Sequence, residues 1–280
     1  MAGPLERTLN RLRAAVGSGA VQRALKHADR SRGVYPVLGE LAGRYRDAGT
    51  TPPDLTAFEL RVFSQNGEDG VLAEILRRIG VAGGGFVEFG AHDGTEGNTV
   101  FLAEVMGWPG VYLEAEPAAF AALARRWAAS PRVRTVHAAV EPDTVEDLFG
   151  RAGVPEEPDV VSIDVDGNDY WIWRALARYR PRVLVIEYNG ALDPASRRVM
   201  PYSPGFRWDH SRGYGASLGA LEELGEEKGY RLVHTELAGV NAFFVREDLA
   251  DGLPALALVA LVLAGLVLAG YQPSSPRGGG

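Results

Sequence analysis

One rhythm governs the chain from Phe63 onward. Short apolar runs at residues 85–89, 111–113, 133–138, 160–163, 183–186, 230–233 and 242–245 alternate with stretches of helical composition at 98–106, 117–127, 170–177 and 218–228. Strand, helix, strand in repeated order predicts a doubly wound, mostly parallel α/β sheet with helices on both faces. The last two runs depart from it, because only a short turn with Gly239 lies between them. They read as a hairpin, which places an antiparallel strand at the edge of the sheet. With 280 residues, 46 % of them apolar, the chain can build such a core.

The flanks follow other patterns, and the expected division is 1–60, 61–250 and 251–280. Leu5, Leu9, Leu12 and Val16, then Val21 and Leu25, recur at helical spacing and predict N-terminal helices. Residues 47–55, with Gly49, Pro52 and Pro53, read as a linker. Residues 253–271 carry no charge and would make a helix of about 28 Å, just long enough to cross a bilayer. A membrane anchor and a buried C-terminal helix are both open for this segment, and 272–280, rich in Pro, Ser and Gly, reads as a disordered end. Arginines interrupt the N-terminal apolar residues, so no secretory signal is expected there, and the expected location is cytoplasmic, tethered to the membrane if 253–271 spans it. Twenty-nine basic against 36 acidic residues, a net charge of −7, argue against nucleic acid as a partner. The absence of cysteine excludes disulfides, thiolate metal sites and a cysteine nucleophile.

In a doubly wound sheet, ligands bind beyond the carboxyl ends of the strands, so the residues after each apolar run carry the chemistry. After the first run, Glu88 is followed by Gly90 and Gly94, where backbone can approach a ligand closely. The spacing is neither that of a dinucleotide fingerprint nor that of a phosphate loop with its Lys-Ser/Thr pair. A carboxylate in this turn would repel pyrophosphate and accept hydrogen bonds from a cationic amino-acid ligand. Glu114 and Glu116 end the second run, where nucleotide-binding sheets hold ribose hydroxyls, although one of them can equally serve as an N-terminal acid of the next helix. The densest polar group is Asp164, Asp166, Asn168 and Asp169, facing Glu187 and Asn189 of the next run. Carboxylates so close repel one another unless protonated, hydrogen-bonded or neutralised, and an oxygen-only set selects a hard ion such as Mg²⁺. The competing reading of Asp166-Gly-Asn-Asp is a turn and helix cap.

Glu-x-Gly-x-x-x-Gly at 88–94, Glu-Pro at 116–117, Ser-Ile-Asp-Val-Asp-Gly-Asn-Asp at 162–169 and Val-Ile-Glu-Tyr-Asn at 185–189 together resemble the FkbM-type branch of class I S-adenosylmethionine-dependent methyltransferases. The likeness runs from about Phe63 to Arg246 and departs at Ser162 and Asp166, where the family has Lys and Glu. It implies a Rossmann-like domain that transfers a methyl group to a hydroxyl of a sugar or natural product. On this resemblance Glu88, Gly90 and Gly94 line the methionine end of S-adenosylmethionine, Glu114 or Glu116 binds its ribose, and His137 with the following Ala-Ala-Val lies near the adenine. Asp164, Asp166, Glu187 and Asn189 are the candidate Mg²⁺ ligands, by analogy with catechol-type enzymes. Without a metal, the candidate bases are Asp164, His92 and His210.

Three further features bear on the site. Phe63-Ser-Gln-Asn-Gly-Glu-Asp resembles a segment that precedes the first strand in some relatives, so Gln65 and Asp69 either close over the cofactor or belong to an ordinary helix start. Residues 190–214, with Tyr202, Phe206, Trp208 and Tyr214, form a loop long and aromatic enough to cover an acceptor. Trp171 and Trp173 are expected in the core. Two other functions remain open at this stage: a binding module without catalysis, and a metal-dependent sugar-processing enzyme that uses no S-adenosylmethionine.

Overall fold

The computed structural model describes residues 54–208 and 213–256. Within them a seven-stranded sheet runs in the order β3-β2-β1-β4-β5-β7-β6. The strands are β1 (Phe86–Phe89), β2 (Gly110–Glu114), β3 (Val133–His137), β4 (Val160–Ile163), β5 (Val183–Glu187), β6 (Tyr230–Thr235) and β7 (Asn241–Arg246). β1 to β5 pair in parallel, whereas β7 runs antiparallel between β5 and β6. This is the doubly wound, Rossmann-like sheet expected from the sequence, with the terminal hairpin inserted next to β5. The order reverses at β1, where β2 lies on one side and β4 on the other, and such a switch point is where these sheets open a ligand crevice.

Helices cover both faces. α1 (Glu68–Arg78), α2 (Val100–Glu104) and α3 (Pro117–Trp127) pack Val71, Ile75, Leu102 and Leu123 onto Phe86, Tyr112, Val185 and Phe243. α4 (Val145–Ala152), α5 (Asp169–Ala175) and α6 (Leu218–Glu227) pack Phe149, Trp173 and Leu221 onto Phe89, Ile163, Leu184 and Phe244. The central strands β4 and β5 are buried on either side, which explains their near-continuous apolar sequences, whereas the edge strand β3 alternates with Arg134 and His137 and is only partly covered. α4 is the element the sequence reading omits. Its buried residues Val145, Phe149 and Ala152 follow helical spacing, but Pro142 and Gly150 mask them.

Both flanks contribute to the domain. Asp54 accepts a hydrogen bond from the Thr56 amide at 2.9 Å and caps a 3-10 turn, Leu55–Phe58, whose Leu55 and Phe58 are buried. The linker therefore ends before Leu55, because that side chain belongs to the core. At the other end Leu253 is buried and the Leu256 amide donates to the Leu232 carbonyl at 3.1 Å. Residues 253–256 are not helical, so a bilayer-spanning helix does not begin at 253. Among the described residues no helix is long and apolar enough to cross a membrane. The N-terminal helices expected at 1–53, the apolar stretch from 257, and the tail 272–280 lie outside the described residues.

Candidate active site

The turn after β1 is built from backbone contacts that leave no room for side chains. Gly90 has φ +65°, and a Cβ there would sit 1.9 Å from the Asp164 carbonyl oxygen. The ends of β1 and β4 therefore touch backbone to backbone, and only glycine fits. Glu88 lies below this turn, 4 % exposed. Its carboxylate accepts the Asn98 amide at 2.7 Å, the Thr99 amide at 3.2 Å and the Thr99 hydroxyl at 2.5 Å. Burial pushes the Glu88 carboxyl up to about 7 against these bonds. Oε1 is engaged by Asn98 and Oε2 by Thr99, so Glu88 shapes the turn from below.

Glu114 and Glu116 separate into two roles. Glu116 caps α3, accepting the Ala119 amide at 2.6 Å, and Pro117 occupies the first helical turn. Glu114, 7 % exposed, accepts the His92 amide on one oxygen and the Glu116 amide on the other, both at 2.7 Å. It thereby joins the turns after β1 and β2, and each oxygen retains a lone pair for a neighbouring hydroxyl. His92 takes φ +47° at this contact, while its ring is 79 % exposed and lies beside Asp93. His137 ends β3, where its ring stacks on Phe120 at 4.7 Å and its Nε2 lies 3.2 Å from the Ala115 carbonyl. Gly94, also left-handed at φ +72°, packs over Leu123 and Trp127 of α3.

Beyond β4 and β5 the carboxylates converge. One oxygen each of Asp164, Asp166 and Glu187 lie within 4.8 Å of one another, and no other such group of acids or histidines occurs among the described residues. Asp164 and Glu187 are half-buried, and Glu187 Oε2 is a buried oxygen with no hydrogen-bond partner. Burial, followed by the neighbouring carboxylates, raises both groups well above the ordinary carboxylate range. Asp166 adopts φ +61° at the apex of the turn. The donors are all oxygens, and the set fits a hard divalent cation.

Asn189 and Asp169 do other work. Asn189 is buried, with Nδ2 donating to the Tyr214 carbonyl and Oδ1 accepting the Ala191 amide, both at 3.0 Å. Its amide holds the loop after β5. Asp169 accepts the amides of Val165 and Gly167, both at 2.8 Å, which closes the turn and begins α5. The cap reading of this motif thus applies to Asp169, while Asp164 and Asp166 remain with Glu187. Asn168 Nδ2 donates to the Ser203 carbonyl at 2.9 Å, in the long loop after β5. Trp173 is in the core, whereas Trp171 donates from Nε1 to the Met200 carbonyl at 2.8 Å. His210 lies outside the described residues.

The segment before α1 forms a further wall. Asp69 Oδ2 accepts the amides of Val62, Phe63 and Ser64 and the Ser64 hydroxyl, so it neither closes over a ligand nor behaves as a solvated first-turn acid. Glu68, fully buried, receives Asn241 Nδ2 at 2.9 Å, which ties the helix start to β7 opposite Glu187. The sequence reading finds no role for Asn241, because a pairing across 173 residues leaves no local pattern. Gln65 stays exposed at the tip of this segment.

No family model and no curated protein matches this chain. Solved structures do. A cofactor-bound protein, Rv0187, from MTB is 21 % identical with a TM-score of 0.43, over 76 % of this chain and 90 % of its own. An O-methyltransferase family protein from Burkholderia thailandensis is 13 % identical with a TM-score of 0.41, over 64 % of this chain and 57 % of its own. The fibrillarin pre-rRNA processing protein of Methanococcus jannaschii is 15 % identical with a TM-score of 0.41, over 59 % of this chain and 67 % of its own.

Proposed function

We propose that the protein is an S-adenosylmethionine-dependent methyltransferase of the FkbM type that acts on a hydroxyl of a small sugar or natural product. The observation that carries this reading is a shared edge of the sheet. There Glu114 and the Gly90 turn stand beside β1 and β2, next to the convergent carboxylates after β4 and β5. The two lone pairs left on Glu114 suit the paired hydroxyls of a ribose. His137 and the residues after it form the adenine side.

S-adenosylmethionine, when bound, supplies a methyl group on a sulfonium. Bound there, it would supply that methyl to the acceptor oxygen and leave as S-adenosylhomocysteine, and where no metal is held Asp164 would accept the hydroxyl proton. Alignment does most of the remaining work. Asp164, Asp166 and Glu187 would hold a divalent ion such as Mg²⁺, which lowers the pKa of a coordinated hydroxyl. Asn189, Asn168 and Trp171 position the loop after β5, which forms the acceptor side.

Thermal unfolding of the full chain with S-adenosylhomocysteine and with Mg²⁺, separately and together, tests the assignment. Stabilisation by S-adenosylhomocysteine is expected. Stabilisation by the metal alone favours a metal-dependent enzyme that uses no S-adenosylmethionine, for which the triad is the supporting feature. No response to either leaves neither reading standing.

A further inference from the structure

The loop after β3 turns at Glu141, whose carbonyl accepts the amides of Thr144 and Val145, both at 3.0 Å, and so fixes the start of α4. Its side chain reaches a different part of the chain. Oε2 accepts the Tyr202 hydroxyl at 3.1 Å and Oε1 accepts the Gly205 amide at 2.9 Å. The same stretch, residues 200–206, is held from the opposite side by the acid turn and α5. Trp171 Nε1 donates to the Met200 carbonyl, Asn168 Nδ2 donates to the Ser203 carbonyl, and the Phe206 ring lies 2.6 Å from where a Cβ on Gly167 would be. The stretch is therefore a strap across the carboxyl end of β4, joining the β3 side to the acid turn.

The two attachments differ in kind. Asn168 is 5 % exposed and the Met200 and Ser203 bonds are partly buried, while both Glu141 bonds are open to water. A hydrogen bond at the surface exchanges readily with water and is the weaker hold. Nothing lies within 4 Å of the Cβ position at Gly205, so packing does not enforce its approach to Glu141. The strap can thus release at Glu141 and pivot about Met200.

We propose that Glu141 is a latch that opens to let the cofactor in and out past the β3 side, so that it governs the rate of cofactor exchange more than cofactor affinity. This rests on the methyltransferase reading, which puts the adenine beside residues 137–140. Opening speeds entry and exit together, so the equilibrium constant changes little while both rates rise.

The test compares the full-length wild type with Glu141→Ala and Glu141→Gln, by hydrogen exchange and by release of labelled S-adenosylhomocysteine into excess unlabelled compound. In Glu141→Ala the Gly205 amide should exchange, and the ligand leave, about tenfold faster, the equivalent of one hydrogen bond, with the Met200 amide unchanged. Glu141→Gln keeps one acceptor oxygen and should fall between. An unchanged Gly205 exchange rate overturns the latch. Faster exchange with unchanged release overturns its role as a gate. A wild type that binds no S-adenosylhomocysteine sinks the methyltransferase reading and the gate with it, whereas binding with an unaltered release rate in Glu141→Ala sinks the gate alone.

Discussion

The protein should lose stability between pH 5 and pH 8, and Glu88 should account for an identifiable part of the loss. Its carboxyl, 4 % exposed, titrates near 7 in the folded chain against 4.5 unfolded, because burial outweighs the donors at Asn98 and Thr99. Between those values the folded chain keeps a proton that the unfolded chain has released. A raised carboxylate therefore makes the fold less stable as pH rises from about 4.5 to 7, with no further change above that. At 1.36 kcal/mol per unit the difference is about 3 kcal/mol. Glu88→Gln cannot ionise, and it keeps one carbonyl oxygen for the Thr99 and Asn98 donors. The variant differs from wild type at every pH, but its profile should be flatter by about 3 kcal/mol, or roughly 1.5 M in the urea midpoint at a slope near 2 kcal/mol per M. Asp69, raised to about 6 by burial, and the raised Asp164, Asp169 and Glu187 tilt both profiles in the same direction, so the difference between the profiles reports Glu88 together with its repulsion of Asp69 and Asp164. Parallel urea profiles for the two proteins would refute the reasoning, since the three hydrogen bonds would then balance burial.

Other substitutions separate the roles assigned at the site. Gly90→Ala places a methyl group 1.9 Å from a backbone oxygen in a left-handed turn, and should destabilise the fold by more than about 3 kcal/mol in denaturant titrations. Glu114→Ala should weaken S-adenosylhomocysteine binding at least about tenfold in calorimetry. Glu116→Ala, which removes only a helix cap, should leave affinity within about twofold while lowering the urea midpoint. Equal losses from both glutamates would contradict that division. Glu187→Gln should abolish Mn²⁺ binding read by electron paramagnetic resonance, and it should raise the stability of the metal-free protein at pH 8, where the folded chain must otherwise keep this buried carboxyl protonated while the unfolded chain ionises it.

The sheet is legible in the sequence because its central strands, β4 and β5 above all, are apolar runs rich in β-branched residues and buried on both faces, and the bounds of β4 match the apolar run 160–163. Pro117 after Glu116 similarly marked the start of α3. What escaped were relations between segments far apart in the chain. The Glu68 to Asn241 bond, the grip of Asp69 on residues 62–64 and the Glu141 bridge to Tyr202 and Gly205 depend on tertiary approach. The carboxylates after β4 and β5 were recognised as a group. Which of them stay together could not be read from residue type, because Asp164, Asp166 and Asp169 alternate along one turn, and only its path sends Asp169 to backbone amides. The Asn189 bonds to Tyr214 and Ala191 depend in the same way on the path of the loop after β5.

The most direct test of the central claim is calorimetric titration of the full-length protein with S-adenosylhomocysteine, with and without Mg²⁺. The account predicts one site per chain with a dissociation constant on the order of micromolar, a free energy near −8 kcal/mol. A titration that is flat under both conditions would contradict it, leaving a doubly wound domain whose three convergent carboxylates serve some other ligand.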